Sequence, residues 1–504
     1  MAYNAINDNA TILPNLMQKL PTKLYQAQQV RELDRIAIQE YGIAGISLMQ
    51  KAANAVWQEI QERWATITSI AVFCGTGNNA GDGYLVATLA LKAGLKVDVY
   101  SMTELDKLSG YAQMAYQTYQ QAGGSVEIFA SPLKSSPELI VDALLGTGMG
   151  REVNGIYADA VEVINRCDCP VVAVDIPSGL NADTGKIMGC AVQADITVTF
   201  IALKQGLFTA DGTEQCGEIV FADLAVPDEI LTRVSHSAER LNKFTLEHRH
   251  RNSHKGSYGH VLVIGGEVGF SGAARLAGEA ALRSGAGLVS IATRAAHANV
   301  LNNGRFELMC HPVERATQLK PLLNKASVIV LGVGLGQLAW GHNLFEAAIL
   351  RAQPVVIDAD GLNLLANSPR QHQNRVLTPH PGEAARLLNC STAEINADRF
   401  NAVKQIQAIY GGVCVLKGAG TLIFNGEEMF VSTTGNPGMA SGGMGDVLAG
   451  IIAGLIAQGF TLTQAATIGV YLHGAAADLA AEQGERGLLA SDLVPIIRKL
   501  VNET

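Results

Sequence analysis

The chain has 504 residues, enough for two or three domains. Lys plus Arg number 37 against 46 Asp plus Glu, a formal charge of −9, which argues against a nucleic-acid binder with its basic excess. Hydrophobic residues make up 48% and charged ones 16%, so global disorder is excluded and large cores are possible. Glycine stands out at 53 residues with no repeat, a sign of tight turns and close backbone approaches. The 8 scattered cysteines form no zinc spacing or disulfide framework. MAYNAINDNATILPNLMQKLP lacks the basic start and apolar core of a signal peptide. The most apolar stretch, Val447 to Phe460, is shorter than the about 20 residues that span a bilayer. A reduced cytoplasmic protein without membrane or nucleic-acid partners is expected, acting on small molecules as a homo-oligomer.

In chain order, residues 1–20 read as a polar leader. TKLYQAQQVRELDRIAIQEYGI sets Val30, Leu33, Ala37 and Tyr41 at helical spacing and predicts a helix ending near Gly42. A second helix is predicted from about Ser47 to Trp64. Short apolar runs then alternate with helical segments: SIAVFCG, LKVDVYS, SVEIFA, LIVDALLG, PVVAVDIP and DITVTF. Such runs, each separated by room for a crossover helix, predict a parallel sheet covered on both faces. Residues 21–235 are therefore expected to form a Rossmann-like three-layer sandwich. The polar segment 236–254, rich in His and Arg, reads as a solvated linker. HVLVIGG, GLVSIAT, SVIVLGVG, PVVIDAD and VCVLKGAG predict a second α/β domain over 255–504.

The first strand runs into GTGNNAGDGY, placing Gly75, Gly77 and Ala80 at a strand-to-helix turn where free amides and the helix N-terminus can face an anion. The strand after it ends in Tyr and Ser, without the acidic residue of an ordinary dinucleotide site. Asn78, Asn79 and Asp82 crowd the turn, either as caps or as ligand contacts. Asp142 stands in an apolar run before a second Gly-rich loop, and Asp175 ends a buried strand before Pro177 and Ser178. Ligands of open parallel sheets lie beyond the carboxyl ends of the strands, so these groups can converge. A buried carboxylate needs partners or a cation, and Asp142 with the oxygens of Asn79 and Ser178 is a candidate hard-cation site. A carboxylate bonded only to loop amides is the other reading of Asp142.

GTGNNAGDG, VDALLGTG and VDIPSGLNADTG resemble the motifs of NAD(P)H-hydrate epimerases, the YjeF N-terminal family, over roughly 21–235. The resemblance implies that Asn78, Asn79, Ala80, Gly81 and Asp82, with Gly146, Thr147, Gly148, Met149, Gly150, Arg151 and Glu152, line the site of the damaged cofactor. It further implies that Asn79, Asp142 and Ser178 hold K⁺, and that Asp175 touches substrate as the acid/base. Ala80 stands where the family usually has Gly, and LMQKAANAV departs from its LMENAG pattern.

In the second half, GNPGMASGGMGDVLAGIIAGLIAQG packs Gly442, Gly443 and Gly445 into a turn opening an apolar helix, with Asp446 at its start. Amides there make an anion hole, and a carboxylate beside it can accept a hydroxyl proton in phosphoryl transfer. An N-terminal Asp alone is more often a cap. VCVLKGAGTLI is a strand, a turn and a second strand, in which Lys417 and the amides of Gly418, Ala419, Gly420 and Thr421 can hold phosphates; a plain hairpin is the alternative. His380, between two prolines at a strand end, is placed for a ligand. The Walker pattern is absent, which disfavours a P-loop ATPase.

HKGSYGHVLVIGG, EAALRSGAGLV, LGVGLG, DADGLN, TPHPGE, KGAGT and GMASGGMGDVLAG resemble, in order, the motifs of ADP- or ATP-dependent NAD(P)H-hydrate dehydratases of ribokinase-like fold. The resemblance implies that Ala273, Gly334, His380 and Asp446 touch the hydrated dinucleotide and that Lys417 to Thr421 and Gly445 hold the nucleotide. Asp446 is then the catalytic base, with ADP or ATP as co-substrate and Mg²⁺ on its phosphates. The expected function is the repair of NADHX and NADPHX: epimerisation of the R and S hydrates and nucleotide-dependent dehydration of S. A ribokinase-like small-alcohol kinase fused to a non-catalytic dinucleotide-binding module is the alternative.

Overall fold

A computed structural model describes residues 20–503; the leader, Leu20 apart, lies outside the described residues. The chain divides into two compact units, 1–239 and 240–504.

The first unit is built on a seven-stranded sheet ordered Val126–Ile128, Lys96–Ser101, Ser69–Cys74, Ile140–Ala143, Val171–Val174, Ile196–Phe200, Glu218–Ala222. Every neighbouring pair is parallel. Side chains alternate between faces. Val72, Cys74, Val99, Val141 and Val172 pack with the helices Ala27–Gln39, Gly45–Arg63, Asn78–Lys92 and Gly110–Gln121. Ala71, Phe73, Tyr100, Ile140 and Ala173 pack with the helix Ile156–Arg166. The central strands are mostly apolar because both faces are covered. The first helix stops at Gln39, and Tyr41, expected on its buried face, is 39% exposed beyond that end. The strand Glu218–Ala222 was not evident in the sequence, and all five of its residues are only half-buried. Within the segment 236–254, Ala238–Arg240 forms a short strand whose Glu239 and Ala238 pair antiparallel with Lys23 and Leu24.

The second unit has parallel strands in the order Leu308–Pro312, Leu288–Thr293, His260–Ile264, Val328–Leu331, Val355–Ile357, Arg375–Leu377, Val413–Leu416. Two antiparallel strands, Leu422–Phe424 and Met429–Val431, complete it. Its main core joins Val261, Val263, Val289, Val330 and Val356 to the helices Ser271–Ser284, Met444–Ala457, Leu462–Ala481 and Ala490–Leu500.

Each sheet reverses direction of growth beside its first central strand, and a glycine makes each crevice. A Cβ on Gly75 would lie 1.9 Å from the carbonyl oxygen of Leu144, and one on Gly265 would lie 1.9 Å from that of Val333. No other residue permits that approach, so the loops leaving neighbouring strands are held together at the switch point where ligands of such sheets bind.

Candidate active sites

In the first unit a cavity of about 830 Å³ opens over these carboxyl ends. Asn78, Asn79, Asp82, Gly146 to Glu152 and Asp175 line it. Ala80 and Gly81 do not, because they turn inward: Ala80 is buried in the core, and a Cβ on Gly81 would lie 2.6 Å from Met49 Sδ. The helix is capped by Gly77, which leaves Asn78, Asn79 and Asp82 on its first turns without a capping bond.

Asp175 follows the strand Val171–Val174 with φ of 69°, a left-handed conformation that Asp tolerates better than most residues. Its Oδ1 accepts from the amide of Phe200 at 3.2 Å and from Thr199 Oγ1 at 3.3 Å, and it is ion-paired with Lys204. Lys204 is 1% exposed and also donates to Thr199 Oγ1 at 2.9 Å and Phe200 O at 3.0 Å, so its ammonium is fixed. Two further carboxyls share the cavity. Burial pushes Asp34 up to about 6, with Lys204 opposing and the Asp175 charge reinforcing. Burial, then the charges of Asp175 and Asp34, hold Asp82 well above the usual carboxylate range against the pull of Lys204. Three carboxyls around one ammonium cannot all ionise cheaply, and Asp82 is the one whose protonated form burial and its neighbours favour most strongly.

Asp142 is fully buried and accepts from Ser178 Oγ at 2.6 Å, Ser178 N at 2.7 Å and Leu144 N at 3.2 Å. Burial raises it to about 6 against these hydrogen bonds. Ser178 Oγ also accepts from the amide of Leu145 at 2.8 Å. Asn79 stands against Gly146, and both polar atoms of its buried side chain have no hydrogen-bond partner. Among the described residues no group of three His, Cys, Asp or Glu is arranged to hold a metal ion. One carboxylate with neutral oxygens suits a weakly charged hard cation, and Asn79 Oδ1 is the donor left over.

In the second unit the helix Met444–Ala457 is capped by Gly443, at φ of 92°, which leaves Asp446 third in the helix and not its cap. The carbonyl-end loops converge beside it. Asp358, 2% exposed, accepts from Lys417 Nζ at 2.7 Å and Thr378 Oγ1 at 2.8 Å. Glu383 is 3.8 Å from the same ammonium and accepts from the amide of His380 at 2.8 Å. A Cβ on Gly445 would lie 3.1 Å from Lys417 Nζ and 3.2 Å from Asp358 Oδ2. Burial raises Asp446 to about 7, reinforced by Asp358 and Glu383 and opposed by Lys417. Burial disfavours the charge of Lys417, yet Asp358 and Glu383 outweigh it and hold the ammonium protonated. The loop Lys417–Thr421 is a hairpin turn between antiparallel strands, and Thr421 Oγ1 donates to Gly418 O at 2.9 Å.

His380 caps the helix Pro381–Leu388, its Nδ1 accepting from the amide of Gly382 at 3.0 Å. Gly334 and Ala273 are neighbours: a Cβ on Gly334 would lie 3.1 Å from that of Ala273, and Gly334 O accepts from Glu267 N at 2.7 Å. Of the three glycines in that loop, Gly332 is pressed against Asp358, where a Cβ would lie 2.0 Å from the carbonyl oxygen. The loop thus borders the carboxylate cluster.

Asp34, Lys204, Asp358, Glu383 and Arg399 were not singled out in the sequence. Asp358 and Glu383 lie inside the DADGLN and TPHPGE motifs, at strand ends where Asp142 and Asp175 were recognised, so that signal was available. Asp34 is a polar residue on the cavity-facing side of the first helix, one turn from Val30 and Ile38. Lys204 follows the strand Ile196–Phe200, and its role depends on a residue 29 positions away.

A profile described as the YjeF-related protein N-terminus matches residues 45–206, and one described as NAD(P)H-hydrate dehydratase matches residues 261–499. The chain is 48% identical over 488 residues to the bifunctional NAD(P)H-hydrate repair enzyme of Coxiella burnetii, covering 95% of this chain and 100% of that one. Against the Escherichia coli enzyme of the same name it is 42% identical over 489 residues, 96% and 95% of the two chains. The crystal structure of the ADP/ATP-dependent NAD(P)H-hydrate dehydratase from Bacillus subtilis, co-crystallised with ATP/Mg²⁺, is 31% identical, covers 51% of this chain and 93% of its own, and has a TM-score of 0.46. Matched along nearly its whole length to relatives of that one name, this chain belongs to the family of bifunctional NAD(P)H-hydrate repair enzymes.

Proposed function

We propose that the chain repairs NADHX and NADPHX in two steps, epimerising R and S hydrates in residues 21–235 and dehydrating the S hydrate with ADP or ATP in residues 255–504. The observation that carries this reading is Asp446: a half-buried carboxyl with a pKa near neutrality, beside an ammonium, at a glycine-capped helix N-terminus.

In the epimerase, the dinucleotide lies along Asn78, Asn79 and Asp82 and along Gly146 to Glu152. The C6 hydroxyl of the hydrate sits beside a ring nitrogen whose lone pair can expel it, so configuration is lost through a cationic or ring-opened intermediate and regained on either face. Asp175 moves the proton at the C6 oxygen and stabilises positive charge on the ring, while Lys204 fixes its carboxylate. Asn79, Asp142 and Ser178 would hold K⁺, which supplies a fixed positive charge near the dinucleotide phosphates. The unpartnered Asn79 side chain supports that assignment.

In the dehydratase, hydroxide is a poor leaving group and must be converted into a better one. Ala273, Gly334 and His380 position the hydrate, and Lys417 to Thr421 with Gly445 hold the nucleotide. Asp446 takes the C6 hydroxyl proton as the oxygen attacks the terminal phosphorus, and the bond to the departing nucleotide breaks. Helix amides and the Lys417 ammonium stabilise the moving phosphoryl. The ring nitrogen then expels phosphate from C6, and loss of a C5 proton restores the dihydropyridine. Mg²⁺ would arrive on the nucleotide, supplying charge to its phosphates; Asp358 and Glu383 are the nearby carboxylate oxygens of the kind it takes. The cysteines are all unbridged, which supports a reducing cytoplasmic setting.

The test mixes the purified protein with racemic NADH hydrate, nucleotide and Mg²⁺. Complete recovery of reduced-nicotinamide absorbance is expected. Accumulation of a stable phosphorylated product without that recovery would instead make the second unit a small-alcohol kinase.

A further inference from the structure

Arg399 opens the helix Arg399–Tyr410 and is buried beneath the hairpin turn that follows Leu416, only 3% exposed. Its Nη2 donates to the carbonyl oxygens of Leu416 and Lys417, both at 3.2 Å, and its Nη1 donates to Gly420 O at 3.1 Å and to Ala419 O. Burial lowers its pKa to about 10, so it remains a cation at neutral pH. Gly418, at φ of +138°, leaves room for it: a Cβ there would lie 2.9 Å from Nη2. A trans peptide directs its C=O and its N–H to opposite sides. Drawing the Ala419 and Gly420 carbonyls inward therefore turns the amides of Gly420 and Thr421 away from the guanidinium, to the outer side of the turn.

We infer that Arg399 is the positioning residue of the nucleotide loop, setting the direction of its backbone amides by holding three of its carbonyls, and that of the preceding Leu416, from below. The inference rests on the reading of Lys417 to Thr421 as the loop that takes the nucleotide. The cation also polarises the peptides it binds, which makes their outward amides better donors to phosphate oxygens. A lysine offers one ammonium with three donors and cannot reproduce a planar fork across four carbonyls.

The experiment measures binding and turnover of full-length Arg399→Lys and Gly418→Ala, the second leaving the arginine in place but pushing it from the loop. Both are expected to raise the KM and Kd for ADP or ATP by about 10- to 100-fold, the loss expected for hydrogen bonds to a charged group, and in Arg399→Lys kcat and the KM for the hydrate stay near wild type. Either variant binding nucleotide as wild type does would overturn the inference, as would an equal loss of hydrate and nucleotide affinity. Hydrogen exchange of wild type with and without ADP separates the underlying reading: if nucleotide does not protect residues 418–421, the loop assignment itself fails. If it protects them and Arg399→Lys binds normally, only the role of Arg399 falls. Loss of fold in Arg399→Lys would leave Gly418→Ala to decide.

Discussion

At the scale of single residues, Asp446 must be ionised to act as a base, and its surroundings place that event near neutrality. Burial, then Asp358 and Glu383, raise it to about 7 despite Lys417, while His473, buried nearby and held down to about 4, stays neutral in that range. The dehydratase kcat/KM should rise with pH through about 7 and flatten above it, because the protonated acid cannot accept the C6 hydroxyl proton. Asp446→Asn should retain hydrate binding and lose about 10²- to 10⁴-fold in kcat; unchanged turnover would remove Asp446 from the chemistry. Stability carries the opposite sign. The folded pKa lies above the unfolded one, so the contribution of this group is full below about 4 and is lost as pH rises through about 7. Asp446→Asn should therefore melt above wild type at about pH 8, with the gap closing near pH 4. Asp446 was legible because three glycines and a helix start surround it within a few positions. Arg399 and Lys204 were not, because each acts on backbone or carboxylate groups brought to it by packing, and in sequence each is an ordinary basic residue.

At the scale of elements, the strands of both sheets are readable as short apolar runs, since parallel strands covered on both faces have no polar side. Glu218–Ala222, Leu308–Pro312, Arg375–Leu377 and Met429–Val431 escaped that pattern: the first two are partly exposed edges, the third opens on a buried arginine, and the fourth is only three residues long. The apolar run at Val447 to Phe460 is explained by its neighbours. The helix Met444–Ala457 carrying Asp446 lies against Ser271–Ser284 so closely that a Cβ on Gly450 would be 2.2 Å from Ala277 O, and one on Gly454 would be 2.1 Å from Ser284 Oγ. These glycines set how far the helix N-terminus reaches over the cluster of Lys417 and Asp358. Gly450→Ala must push the helices apart, which should cost about 1–3 kcal/mol in denaturant unfolding of the second unit. Because the helix start moves with it, dehydratase kcat should fall while epimerase activity is kept. A variant as stable and active as wild type would show that the helix spacing is not set at Gly450.

At the scale of the whole molecule, the two sites are linked by the stereochemistry of damage. Hydration of the ring gives both epimers at C6, and a chiral site that phosphorylates one hydroxyl leaves the other hydrate in place. Asp175→Asn in the full chain should thus recover about half the absorbance of a racemic mixture quickly, with the remainder following only at the spontaneous rate of epimerisation. Asp446→Asn should recover almost none, yet still interconvert the epimers. A mixture of the two variants then tests whether the sites need to share one chain. If the hydrate leaves the first site freely, equal amounts of the variants restore complete recovery, and the slow phase speeds up with the concentration of the Asp446→Asn protein. If the slow phase instead keeps the spontaneous rate at every concentration of that protein, the hydrate it epimerises is not released to the other chain, and transfer requires both sites on one chain. Should Asp175→Asn alone recover everything at the wild-type rate, Asp175 is not the epimerase acid/base, and Asp34 and Asp82, the two carboxyls sharing its cavity whose pKa burial raises, become the groups to substitute next.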